Sequence, residues 1–155
     1  MAYRITGLAP EPFAGLARLD DAALAAKGAM RITALDGLAY PCRISLEDAT
    51  PGETLFLVHH VSHNVATPYR SAYAIYVRAA AGLPATFHNC TPPVFDGRPI
   101  ALRGFGADAM LKAAALALPG QADAKIRSLF EQADIAYIHA HNAAHGCFSA
   151  RIDRE

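Results

Sequence analysis

The feature of this sequence that most constrains its fold is a pair of alternating runs between Ile135 and Asp153. Apolar and polar residues alternate on both sides of Asn142-Ala-Ala-His-Gly146, a segment whose asparagine and glycine are typical of a turn. The alternation predicts a C-terminal β-hairpin, because successive side chains of a strand point to opposite faces. Slipping either strand by one residue would mix the two kinds of side chain, so the pattern also predicts the register. The predicted apolar face carries Ala136, Ile138, Ala140, Phe148, Ala150 and Ile152.

The opposite face of the predicted hairpin is polar. If residues 142–146 form the whole loop, three cross-strand pairs follow on this face: His141 with Cys147, His139 with Ser149, and Tyr137 with Arg151. Directly paired residues have Cβ atoms about 4.5–5.5 Å apart, which would bring an imidazole and a thiol within reach of each other.

This polar face is compatible with two kinds of chemistry. Cys147 could act as a nucleophile with His141 as its base, because a neighbouring imidazolium stabilises the thiolate. Alternatively, His139 and His141 project from the same strand face and could ligate a divalent transition metal such as zinc, with Cys147 or His63 as a third ligand. A third reading needs no chemistry, since histidine pairs at this spacing arise by chance in a chain with 7 histidines.

The rest of the chain predicts several strands and few helices. Apolar or alternating runs predict strands at residues 3–6, 40–46, 55–61, 72–78 and 100–105. Asp20 and Asp21 are suitable cap and first-turn residues for a short helix that ends at Gly28. The apolar stripe of residues 121–133 predicts a second helix. Strands and helices do not alternate regularly, which favours an α+β fold with a mainly antiparallel sheet packed by a few helices.

Two segments are left open by these patterns. Residues 109–118 have the alanine, leucine and lysine content of a helix, but the alternation of Met110, Leu116 and Leu118 also permits a strand. Residues 79–99 are rich in proline and show little regular pattern. A connection of that length is either a functional lid or an element that the pattern does not reveal.

Composition and charge narrow the classes of function. The 155 residues contain 14 Lys and Arg against 14 Asp and Glu, scattered along the chain. Without a concentrated basic footprint, neither nucleic-acid binding nor attachment to an anionic membrane is expected. No run approaches the roughly 20 apolar residues that cross a bilayer, and 3 cysteines without disulfide or CxxC spacing fit a reducing compartment. We therefore expect one globular domain over residues 1–155, in the cytoplasm.

Several arginines lie at predicted strands or strand ends, namely Arg43, Arg70, Arg78, Arg103 and Arg151. Converging guanidinium groups could recognise a carboxylate or a phosphate through paired hydrogen bonds. Surface solvation, or pairing with Glu47, Asp48 or Glu53, is the simpler reading for most of them. Cys42 shares its predicted strand face with apolar residues, which favours a buried and inert thiol.

Several groups of residues follow one another in a recognisable order: Tyr3-Arg-Ile-Thr-Gly-Leu8, Pro41-Cys-Arg-Ile-Ser-Leu-Glu-Asp-Ala49 with Pro51-Gly-Glu53, Pro68-Tyr-Arg70, Ala74-Ile-Tyr-Val-Arg78, Tyr137-Ile-His-Ala-His-Asn142, and Gly146-Cys-Phe148 with Ala150-Arg-Ile-Asp153. Together they resemble a bacterial family known as domain of unknown function 1203. The resemblance implies one compact domain, favours a strand at residues 109–118 and supplies no activity. It brings into the family pattern Cys42, Arg43, Arg70, His139, His141, Asn142 and Cys147.

The leading functional hypothesis is a small-molecule site on the polar hairpin face, with residues 79–99 as its cover. Cys147 and His141 would be catalytic if thiol chemistry operates, and His139 and His141 would be the ligands of any metal. The residues expected to bind the small molecule are Tyr137, His139, Asn142, Arg151, Arg70 and Arg43. The alternative is a non-catalytic interaction protein whose polar hairpin face forms a contact in a homo-oligomer.

Overall fold

The computed structural model describes residues 1–155 and contains two antiparallel sheets with two short helices. The larger sheet has the order β5-β1-β9-β8-β6-β7 and is built from β1 Tyr3–Thr6, β5 Thr86–His88, β6 Ile100–Phe105, β7 Leu111–Ala117, β8 Tyr137–Asn142 and β9 Phe148–Arg154. The smaller sheet has the order β2-β3-β4, from β2 Ala29–Thr33, β3 Thr54–His63 and β4 Ser71–Arg78. The helices are α1 Asp21–Ala26 and α2 Ala122–Phe130. The predicted α+β fold and the C-terminal hairpin of β8 and β9 are confirmed. No helix is long and apolar enough to cross a membrane.

The larger sheet is covered on both faces. Helix α2 packs on one face through Ile126, Leu129 and Phe130, which join the inward residues of β1, β6, β8 and β9 in the main apolar core. The smaller sheet packs on the other face, where Phe56 and Ile75 meet Phe148 in a second core. Because β8 lies in the middle of this arrangement, all of its residues are buried.

Local signals account for the elements that the sequence predicts well. The side chain of Asp20 caps α1 by accepting a hydrogen bond from the backbone N–H of Ala23 at 2.8 Å. The apolar stripe of α2 is the face that packs on the sheet. Residues 109–118 contain the strand β7 rather than a helix, because pairing with β6 along Ile100–Phe105 outweighs the helical propensity of alanine and lysine.

The predicted hairpin register is wrong by two residues in its outer part. His139 lies opposite Arg151, Tyr137 lies opposite Asp153, and the register shifts between Ala140 and His141 so that His141 faces Phe148. A slip of two keeps the faces of β8, but the shift leaves Ser149 as an extra residue, a β-bulge. The bulge turns Phe148 away from its predicted apolar face and into the second core, where burying a whole aromatic ring compensates for the interrupted ladder.

The strand predicted at residues 40–46 is also wrong. This segment is a turn attached by two isolated β-bridges, Pro41 to Asp48 and Cys42 to Tyr76. Neighbouring residues of both parities are buried, including Arg43 at 1% and Ile44 at 2% exposure. The alternation predicted one solvated face, but the turn is wedged between packed elements. The open segment of residues 79–99 contains the short strand β5 and a 3-10 turn at Pro93–Phe95.

Candidate functional site

The polar face of β8 points into the protein, against β3 of the smaller sheet. His139 and His141 are each 3% exposed, and Tyr137 is 9% exposed. The ring of His63, from β3, lies 4.8 Å from the ring of His139, and the ring of His139 lies 6.3 Å from that of His141. These three imidazoles form a buried row together with the rings of Phe105 and Phe148.

Hydrogen bonds to carbonyl groups determine the protonation of two of these rings. The Nδ1 of His141 lies 3.0 Å from the carbonyl of Gly146 and must donate to it, since a carbonyl only accepts. In the same way His63 donates from Nδ1 to the carbonyl of Tyr69 at 2.9 Å, so its Nε2 accepts from the hydroxyl of Tyr137 at 2.8 Å. The Nδ1 of His139 is buried and has no partner.

Burial keeps His139 and His141 neutral within this row. Burial, followed by the charges of His63 and His141, lowers the pKa of His139 to about 3. Burial lowers the pKa of His141 to about 4, although the hydrogen bond to Gly146 works in the opposite direction. Both imidazoles are therefore uncharged at neutral pH, and an uncharged ring can pack among aromatic side chains with a small desolvation cost.

The structure does not bring the predicted nucleophile to its predicted base. The imidazole of His141 is directed to Gly146, whereas the Sγ of Cys147 accepts a hydrogen bond from Nη2 of Arg43 at 3.2 Å. No group of three His, Cys, Asp or Glu side chains is arranged to hold a metal ion. His139 and His141 pack as neutral rings in the aromatic layer with Phe148.

A cleft of about 340 Å³ borders the hairpin loop and is not lined by His141, and we refer to it as the Arg43 cleft. Its walls come from the hairpin loop, from β3 and β4, from residues 39–43 and from residues 97–99. The walls are largely apolar, with Leu57, Ile75 and Pro99 among them. The polar side chains that reach it include Arg43, Asn142, Cys147, Arg98, His145 and the two tyrosines Tyr73 and Tyr76.

Arg43 has unusual surroundings for a cation. It is 1% exposed, yet it takes part in no ion pair. Its Nη1 donates to the hydroxyl of Ser149 at 3.3 Å, its Nη2 donates to Cys147, and its Nε has no partner. Burial lowers the pKa of Arg43, while the sulfur of Cys147 opposes that shift. A guanidinium nonetheless stays protonated in proteins, so this wall of the cleft carries a buried charge that no carboxylate of the chain neutralises.

The backbone around Arg43 is held tightly on both sides. The N–H of Arg43 donates to the carbonyl of Tyr76 at 3.0 Å, and its own carbonyl accepts from Leu8 at 2.7 Å. The chain can approach this closely only because residue 7 is glycine. A Cβ at Gly7 would lie 2.1 Å from the carbonyl oxygen of Ile44. Gly7 therefore helps to fix the position of the guanidinium, and both residues lie in segments that the sequence resemblance picks out.

Asn142 supplies a second unsatisfied polar group on the same cleft. Its backbone N–H closes the hairpin loop by donating to the carbonyl of Cys147 at 2.9 Å, but its side-chain amide makes no hydrogen bond and its Oδ1 is buried. Arg98, by contrast, is already paired with Asp48 at 2.7 Å. Among the charged and amide groups of the cleft, the Nε of Arg43 and the side-chain amide of Asn142 thus lack a protein partner.

The remaining predicted residues lie elsewhere. Arg70 is exposed in the loop between β3 and β4 and makes no ion pair. Arg151 stacks over the ring of Tyr137 at 4.1 Å and pairs with Asp153 at 2.9 Å, so its charge is compensated. Cys42 is fully buried, as its predicted apolar neighbours indicated. A second cleft of about 290 Å³, lined by His141 and Arg103, also borders the hairpin loop.

Sequence reasoning missed the apolar walls of the Arg43 cleft. Leu57, Ile75 and Pro99 are unremarkable in sequence, because each has the character expected of a strand or a turn. The one signal that could have indicated this site was the arginine at position 43 inside an otherwise apolar run. Its burial, however, follows from the turn at residues 40–46, where the alternation wrongly predicts a strand.

The chain belongs to the family described as "Protein of unknown function (DUF1203)", which matches residues 39–154. This confirms the resemblance seen in the sequence. All the residues that line the Arg43 cleft lie inside the matched region. No curated protein and no solved structure matches the chain.

Proposed function

We propose that the Arg43 cleft binds a small organic anion, whose carboxylate or phosphate accepts hydrogen bonds from the guanidinium of Arg43. The observation that carries the proposal is the buried charge of Arg43, which has an unpartnered Nε and no acidic side chain beside it. A guanidinium recognises a planar or tetrahedral oxyanion through paired hydrogen bonds, and such bonds are strong because both partners are charged.

The energetics of burial support an anionic ligand over a neutral one. Removing a charged group from water costs several kcal/mol unless an opposite charge or strong hydrogen bonds compensate for it. Arg43 receives only a neutral hydroxyl from Ser149 and the sulfur of Cys147. A bound oxyanion would supply the missing compensation, and it would do so inside a site where little water weakens the attraction.

The shape and lining of the cleft indicate what else the ligand carries. Its volume of about 340 Å³ is at the small end of the range for ligand pockets. Apolar walls from Leu57 and Ile75 suit a compact hydrocarbon body, and the unpaired amide of Asn142 suits one further hydrogen-bonding group. Cys147 would lie next to the bound anion, since both share Arg43. Any chemistry at this site would therefore involve the thiol, with Arg43 rather than His141 beside it.

The alternative, a subunit contact through the polar hairpin face, receives less support. Tyr137, His139 and His141 are buried within the chain under β3, so a second protein could not contact them without separating the two sheets. Arg151 is the exposed residue of this face, and it is already paired, while Cys147 is partly exposed on the Arg43 cleft.

The proposal can be tested by binding of matched ligands. We expect benzoate, phenyllactate or phenyl phosphate to raise the melting temperature of the protein, and the neutral benzamide to have no effect. At a ligand concentration of about 100 Kd the stabilisation is about 2.7 kcal/mol, which corresponds to roughly 5–10 °C for a domain of this size.

Two variants make the test specific. Arg43→Met should abolish the shift and the heat of binding measured by titration calorimetry. Arg18→Met removes an exposed arginine outside the cleft and should leave both unchanged. The proposal fails if no anion of the panel binds, or if the anions bind the Arg43→Met protein as tightly as the wild type.

A further inference from the structure

The three cysteines of this chain lie in three different environments. Cys42 is fully buried, and its sulfur accepts hydrogen bonds from the backbone N–H groups of Ile44 at 3.4 Å and Arg78 at 3.3 Å. Cys90 is exposed and makes no side-chain hydrogen bond to a cation. Cys147 is partly exposed on the Arg43 cleft, and its sulfur accepts from a buried guanidinium. Only Cys147 therefore combines access to solvent with a cation in direct contact.

We infer that Cys147 is a site of oxidation by hydroperoxides, and that Arg43 stabilises both the thiolate that reacts and the sulfenate that forms. A thiolate is the nucleophilic form of cysteine, and adjacent arginine favours it. The Nε of Arg43 is buried without a partner and belongs to a side chain that lines the same cleft. An additional donor is therefore available when the sulfur gains an oxygen.

The step balances without any group that the protein lacks, apart from the peroxide itself. The thiolate sulfur of Cys147 attacks one oxygen of hydrogen peroxide, a sulfur–oxygen bond forms and the oxygen–oxygen bond breaks. The second oxygen leaves as water and takes both protons of the peroxide. Sulfur is oxidised by two electrons to the sulfenate, which keeps the single negative charge next to the guanidinium.

The surroundings of Cys147 favour a sulfenate over a disulfide with Cys42 as the product. A sulfenic acid condenses readily with a second accessible thiol. Cys42 has no exposed surface and its sulfur is held by two backbone N–H groups, so it is not available for that reaction. We therefore expect a gain of one oxygen on Cys147 that a thiol reductant reverses.

The experiment uses the other two cysteines as internal references. The ligand-free protein is treated with hydrogen peroxide at neutral pH in the presence of dimedone, which traps sulfenic acids, and the labelled sites are identified and timed by mass spectrometry. An ordinary thiol is only a few per cent ionised at neutral pH, and thiolate stabilisation lowers intrinsic nucleophilicity, so we expect Cys147 to be labelled about tenfold faster than Cys90. Cys42 should remain unlabelled.

The variant Arg43→Met should reduce the labelling rate of Cys147 to that of Cys90, and the unchanged rate of Cys90 reports that the protein is otherwise intact. If Arg43→Met does not fold, the comparison of cysteines in the wild type still decides the question. Equal or slower labelling of Cys147 than of Cys90 in the wild type overturns the inference. The gain of one oxygen on Cys147, read by mass spectrometry in a parallel sample without dimedone, is independent of the proposed anion binding, because no organic ligand is then present.

Discussion

Replacing Arg43 by methionine should stabilise the ligand-free protein, which is the opposite of what removal of a large buried side chain usually does. Methionine keeps most of the aliphatic stem and flexes to fill irregular space, so little packing is lost. The change removes a charge that is 1% exposed and faces no carboxylate. The substitution thus loses the stability that a packed core side chain provides, but it also removes the free-energy cost of burying the charge.

The magnitude follows from the contacts of the guanidinium. Burial of an uncompensated ion costs several kcal/mol, here taken as about 5 kcal/mol. The two hydrogen bonds from Arg43 are long, at 3.3 Å to the hydroxyl of Ser149 and 3.2 Å to the sulfur of Cys147, so each returns about 1.5 kcal/mol, the low end for a charged donor. Methionine also leaves the buried hydroxyl of Ser149 unpaired, at a cost of about 1 kcal/mol. We expect Arg43→Met to raise the free energy of unfolding by about 1 kcal/mol, and the double variant with Ser149→Ala to raise it by about 2 kcal/mol.

Urea unfolding at pH 7, followed by circular dichroism, measures the change in the free energy of unfolding directly. In thermal unfolding, the melting temperature should increase by about 3 °C in the single variant and about 6 °C in the double variant, since 1 kcal/mol corresponds to about 2–4 °C at this chain length. Removing one partner of a compensated buried ion pair instead costs about 3–5 kcal/mol. A loss of 2 kcal/mol or more in Arg43→Met would therefore refute the reasoning, because the guanidinium would be shown to be satisfied within the chain.

Three further predictions concern pH, backbone packing and oxidation. Burial lowers the pKa of His139 from 6.5 to about 3, so as pH falls the unfolded chain binds a proton at this residue before the folded protein does. The contribution of the neutral ring to the free energy of unfolding is complete above pH 6.5 and declines by about 2 kcal/mol between pH 7 and pH 5. The variant His139→Leu should remove that part of the pH dependence of urea unfolding. Gly7→Ala should lower the free energy of unfolding by about 2–3 kcal/mol in the same assay, because its Cβ would overlap the backbone of Ile44. The control Gly15→Ala, at a residue with open space around it, should leave the free energy of unfolding unchanged. Peroxide-treated protein should lose calorimetric binding of benzoate and regain it with a thiol reductant, because a sulfenate on Cys147 would neutralise Arg43; unchanged binding after complete oxidation would contradict this.

Much of the fold could be predicted because its signals are local. The alternation of residues 135–153 specifies a hairpin and the faces of β8, and the stripe of α2 specifies which side packs on the sheet. The bulge at Ser149 could not be predicted in this way. The bulge lets Phe148 pack between the two sheets, against residues of β3 and β4 in the second core. A local pattern carries no information about it.

The candidate site shows the same limit more sharply. The sequence predicts Arg43 and Asn142 as binding residues and Cys147 as a catalytic residue, at a site centred on the polar face that carries His139 and His141. Alternation indicates which residues share a face and does not indicate whether that face meets water or another sheet. Here β3 covers it, and burial renders the histidines neutral. The Arg43 cleft lies instead beside the loop of the hairpin, where segments far apart in sequence converge.

Two of the buried polar groups of this protein, His139 and Arg43, differ in how folding can accommodate them. A buried histidine can lose its proton, and His139 does so, which turns a potential charge into a neutral ring within an aromatic layer. Arginine has no such option, because its guanidinium stays charged under all conditions in which the protein folds. The backbone of Arg43 is nevertheless fixed from both sides, so the charge is held in place rather than allowed to turn towards solvent. A feature that lowers stability and is yet firmly positioned fits the proposed anion binding, in which the ligand would supply the compensation.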